Sequence, residues 1–163
     1  MKLAIANDHR GYELKKYIIK HLKDVEIIDL GSDSKEYSDY SKYGIKLGEY
    51  VVKNKCLGLA ICGSGIGISI ACNKVKGVRC AKVDFIKEAI VTRKDNDSNI
   101  VAISGEMNPE RSLRIVEEFL NTDFSNIDRH NKRINQINEY ESKRWHIINW
   151  WWKWENYLFL YYL

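Results

Sequence analysis

A chain of 163 residues, 45% hydrophobic and 29% charged, has the makeup of a soluble globular domain with one core. Its formal net charge of +4 is modest and the basic residues are spread rather than massed, which argues against a nucleic-acid partner. The four cysteines (Cys56, Cys62, Cys72, Cys80) have irregular spacings that fit no zinc pattern, so free thiols in a reducing cytoplasm are expected.

Met1-Lys2 leads straight into a strand-like run, with no secretory leader expected, and the first strand covers Lys2–Ala6. Asn7-Asp8-His9-Arg10-Gly11 follows it, a turn rich in polar reactive groups, and then a helix over Gly11–Lys23. Further strands are expected at Val25–Leu30, Leu57–Cys62, Val78–Val83 and Asn99–Ile103. Between and after them lie helices at Tyr40–Lys53, Ile66–Lys74, Asp84–Arg93 and Pro109–Leu120, the last opening on the only proline. Regular βα alternation implies a doubly wound, parallel five-stranded sheet with helices on both faces. His130–Arg144 reads as a C-terminal helix with a basic face.

After Arg144 the composition breaks. Trp145 to Leu163 hold all five tryptophans and only two formal charges, Lys153 and Glu155. Five polar residues inside that stretch argue against a membrane span. It is expected to be an appended, aromatic-rich extension that packs on nearby apolar surface, alone or in a higher oligomer. The expected division is thus 1–144 for the domain and 145–163 for the extension.

The third strand ends on Cys62 and opens into Gly63-Ser64-Gly65-Ile66-Gly67. Open α/β sheets bind ligands at the carboxyl ends of their strands. Glycines there bring backbone N–H groups close to an anion, and the next helix N-terminus points at it. A thiol beside such a cradle suggests an enzyme of phosphorylated small molecules. Ser64 offers a hydroxyl to an oxygen gaining charge. Asp8 and His9, on the same sheet edge, supply an acceptor and an imidazole, although a capping Asp beside an exposed His is the plainer alternative. The G-x-G-x-G spacing also approaches a dinucleotide fingerprint, but a dinucleotide site would more naturally use the first βα turn.

Asn7 to Lys15, Asp39-Tyr40, Leu59 to Lys74, Gly77-Val78-Arg79, Asn96 to Asn99 and Arg129 to Ile134 together resemble the type B ribose-5-phosphate isomerases. That family includes the galactose-6-phosphate isomerase subunits. The resemblance spans about residues 1 to 144, and it implies a Rossmann-like three-layer αβα fold and a homodimer without metal or organic cofactor. It further implies interconversion of an aldose phosphate and its ketose through an enediol. By the same resemblance Cys62 is the base, and Gly63, Ser64, Gly65, Ile66 and Gly67 cradle the enediolate. Asp8, His9, Tyr40 and Asn96 contact sugar hydroxyls. Arg129 and Arg133 bind phosphate and complete a neighbouring subunit's site. Asn126-Ile127-Asp128 replaces the paired glycines usual before Arg129-His130, and two single positions also depart from the family pattern. Asp95 stands where a ring-opening His is usual, and Glu106 stands where an Arg or Lys is usual and is expected to repel phosphate. The expected substrate pair is ribose 5-phosphate and ribulose 5-phosphate. A six-carbon sugar phosphate, or phosphosugar binding without turnover, is the alternative.

Overall fold

The structure is a computed structural model that describes residues 1–143; the expected tryptophan-rich extension lies outside them. Two compact units divide the chain after Asn126. In the first unit five strands alternate with helices: β1 (Lys2–Asn7), α1 (Tyr12–His21), β2 (Glu26–Asp29), α2 (Tyr40–Asn54), β3 (Leu57–Cys62), α3 (Ile66–Cys72), β4 (Cys80–Lys82), α4 (Ile86–Asn96), β5 (Ile100–Ser104) and α5 (Pro109–Asn121). In the second, residues 128–143 form α6, close to the expected C-terminal helix. Every expected strand and helix is present, β3 with the expected bounds and the others with shifted ends. The Gly11–Lys23 helix begins with a separate 3-10 turn, because Asp8 caps His9–Gly11. The helix after β4 starts at Ile86, where the Glu88 carboxylate accepts the Asp84 and Phe85 N–H groups at 2.6 and 3.1 Å.

All strand pairs are parallel, in the order β2-β1-β3-β5-β4. Right-handed crossovers decide which face each helix covers. The chain moves outward from β1 to β2 and back to β3, so α1 and α2 lie on opposite faces. It then skips the place of β5 to reach β4, and returns. The result is three layers. Leu14 and Ile18 of α1, Ala89 of α4 and Ile115 and Phe119 of α5 share one core with Leu3, Ile5, Leu59, Ile61, Val101 and Ile103. Leu47 and Val51 of α2 and Ile68 and Cys72 of α3 share the other with Ala4, Ala6, Ala60, Cys62 and Ala102. The period-2 alternation of each strand thus sends large residues to one face and mostly small ones to the other.

β1 and β3 are neighbours, yet their chains leave toward opposite faces. That divergence opens a crevice at their carboxyl ends, where such sheets hold ligands.

Candidate active site

The crevice opens into a cavity of about 600 Å³ lined by the ends of β1, β3 and β5 and by the loops after β2 and β4. Cys62 closes β3 and is 3% exposed, facing the α2/α3 side. The Gly65 N–H donates to its sulfur at 3.2 Å, so the turn folds back over the thiol. Gly65 holds φ +77°, and a Cβ there would lie 2.8 Å from the Ile103 carbonyl carbon. Only glycine fits both the left-handed backbone and that close approach. Ser64 is exposed on the cavity wall, with its Oγ accepting the Ile66 N–H at 3.2 Å. Gly67 carries the face of the Tyr40 ring, since a Cβ on it would come within 2.6 Å of that ring. Ser104, at the tip of β5, donates to the Gly63 carbonyl at 2.6 Å and fixes the cradle from the other side.

Asp8 is buried to 4% exposure, and one carboxylate oxygen accepts the Arg10 and Gly11 N–H groups at 2.9 and 3.1 Å. Capping and lining the cavity are therefore not alternatives, because this side chain does both. His9 is tied to the loop after β2. Its N–H donates to Ser38 Oγ at 3.0 Å, and its ring stacks obliquely on Tyr37. Ring Nδ1 faces the Ser38 N–H at 3.2 Å and the Ser38 carbonyl at 3.1 Å. It accepts from the first when the proton sits on Nε2, and donates to the second when it carries the proton itself.

Cys62, Gly63, Ser64, Ile66, Gly67, Asp8, His9 and Tyr40 thus meet around one cavity. Asp95 and Asn96 do not join them within the chain. They end α4 at the amino edge of the sheet, a strand length away, and the Asn96 carbonyl accepts from Arg79 there. The rest of that block is structural. Asp97 bridges Arg79 and Arg93 at 2.7 and 2.8 Å, and Asn99 ties the Arg79 N–H and the Gly77 carbonyl. Arg129 and Arg133 sit one turn apart and exposed on α6 in the second unit, where Arg129 Nε donates to the buried His130 ring at 3.0 Å.

Glu106 lines the cavity but does not face it as a lone negative charge. It pairs with Arg10, whose guanidinium lies against Gly63. Lys82 and Asp84, after β4, form a second pair in the wall. Arg10, Lys82, Asp84 and Ser104 were not singled out from the sequence. The signal that marks Cys62, a polar residue at or just past a strand's carboxyl end, marks each of them as well.

The Ribose/Galactose Isomerase family model matches residues 3–137. The chain belongs to this family. A probable ribose-5-phosphate isomerase B of Mycoplasma pneumoniae is 39% identical over 147 residues, covering 87% of this chain and 96% of that protein. The ribose-5-phosphate isomerase B structure from Clostridium thermocellum matches with a TM-score of 0.84 at 40% identity, over 88% of this chain and 99% of that one. That from Mycoplasma genitalium, solved with bound ribulose-5-phosphate, matches with a TM-score of 0.82 at 36% identity, over 86% and 96%. Shared fold and sequence over nearly the whole length make this an isomerase-family domain, and no described helix is long and apolar enough to cross a membrane.

Proposed function

We propose that the chain interconverts ribose 5-phosphate and ribulose 5-phosphate, with Cys62 as the base. The observation that carries this is a buried thiol, capped by a backbone N–H, at the β1/β3 crevice of a chain related to ribose-5-phosphate isomerases B. The open-chain aldose sits with C2 against the Cys62 sulfur, which as the thiolate takes the C2 proton as C1=C2 forms and the C1=O electrons move onto O1. Negative charge moves onto oxygen in the cis-enediolate, where N–H groups of Gly63 to Gly67 and the Ser64 hydroxyl receive it. The thiol returns the proton to C1 while the hydroxyl proton shifts between O2 and O1, leaving the ketose. Substrate and product are isomers, so no co-reactant is consumed. Asp8, His9 and Tyr40 bind sugar hydroxyls.

The working unit is a homodimer. Asp95 and Asn96 lie at the opposite sheet edge from their own chain's cavity, which supports a second copy bringing them to a Cys62 site, Asp95 for ring opening and Asn96 for a hydroxyl. Arg129 and Arg133 bind the phosphate. Free thiols at all four cysteines suit a reducing cytoplasm.

A coupled assay on ribose 5-phosphate tests the isomerase. Cys62→Ala is expected to lower kcat by about 10²–10⁴-fold, the usual contribution of a positioned base, with an unchanged melting temperature. Absence of turnover in the unaltered protein, or an unaffected Cys62→Ala variant, would sink the proposal.

A further inference from the structure

A cation stands in this cavity beside Glu106, the carboxylate expected to repel phosphate. The Glu106 carboxylate meets a guanidinium delivered from across the crevice by Arg10. The Arg10 side chain runs from the end of β1 over Gly63: a Cβ on that glycine would lie 2.7 Å from Arg10 Nη1 and 2.8 Å from Nε. Its head group therefore ends beside the loop after β5, within side-chain reach of position 106.

We propose that Arg10 is a phosphate-binding residue of this chain, its guanidinium held over the cradle by Glu106 until phosphate takes it. Four carboxylates line the cavity, and each is engaged. Asp8 caps the turn, Asp39 accepts the Tyr37 hydroxyl, Asp84 holds Lys82 and Glu106 holds Arg10. Arg10 and Glu106 side chains are 56% and 64% exposed, so their pair is weak and exchangeable. A phosphate dianion offers the planar guanidinium a stronger two-point partner than one exposed carboxylate does. Glu106 thus holds the guanidinium over the cradle in the empty site and gives it up to the phosphate.

The inference rests on the sugar-phosphate reading, and its test separates the two. Binding of inorganic phosphate is measured by calorimetry, alongside KM and kcat for ribose 5-phosphate. Arg10→Ala is expected to raise both the phosphate Kd and KM by about tenfold or more, with kcat within about threefold. Glu106→Gln removes the competing charge and tightens phosphate severalfold. The double variant Arg10→Ala/Glu106→Arg, which moves the cation to the loop after β5, recovers most of the lost affinity. The proposal is overturned by an unchanged phosphate Kd in Arg10→Ala, by a loss confined to kcat, or by a double variant no better than Arg10→Ala. Phosphate binding that depends on Arg10 in a protein without isomerase turnover would overturn only the isomerase function.

Discussion

Lys15 shows how much a single buried charge organises around this site. It is 2% exposed on α1, and its ammonium reaches Asp29 at 2.8 Å and the Ser32 carbonyl at 2.8 Å. It thereby anchors the start of the loop that goes on to grip His9 through Ser38. The thiols divide by surroundings. Cys62 faces the cavity, whereas Cys80 is pushed far above its usual 9.0 by a hydrogen bond with the Cys72 thiol and then by burial. Unfolded, Cys80 ionises near that usual value; folded, it keeps its proton. Above about pH 9 the unfolded chain therefore binds fewer protons than the native one, and stability falls as pH rises. Cys80→Ala should flatten that fall, measured as urea midpoints from about pH 8 to 10.5. An equally steep decline in the variant would show that other groups cause it.

At the scale of elements, the cradle depends on how closely neighbours approach. α2 meets α3 through Gly44, where a Cβ would lie 2.8 Å from that of Ala71. This closeness sets Tyr40, the first residue of α2, on Gly67 at the start of α3. Gly65 makes the sharper demand, because backbone atoms of Ile103 and Ser104 stand where its side chain would be. Gly65→Ala should cost about 1–3 kcal/mol from the left-handed backbone, with clash added. It should also lower kcat, since the N–H that meets the Cys62 sulfur moves with that turn. Chemical denaturation paired with steady-state kinetics checks both. A variant with native stability and native kcat would mean the turn can relax, contrary to this geometry.

At the scale of the whole molecule, the distance between Cys62 and the Asp95–Asn96 pair is the central fact. If a second copy closes the gap, two defective chains can repair each other. Cys62→Ala mixed with Asp95→Ala/Asn96→Ala should regain up to about a quarter of native activity after subunit exchange, because half the dimers then carry one intact site of two. Each variant alone stays near background. No recovery, in a mixture shown by sedimentation to exchange, would place the whole active site within one chain.

Much of this was legible in the residues themselves. Alternating apolar runs and helical patterns specified five parallel strands and their helices, because backbone period and burial are local properties of the chain. Cys62 with its glycines, and Asp8-His9, marked the strand ends that line the cavity, since the sheet is open there. The sequence by itself also determined the proline start of α5, where Asn108 caps the helix. Only the tertiary structure decided the β2-β1-β3-β5-β4 order, the gap that separates Asp95 and Asn96 from the cavity, and the meeting of Arg10 with Glu106. Those two residues lie 96 positions apart in sequence, and a charge's effect depends on which partner the fold brings within reach of it.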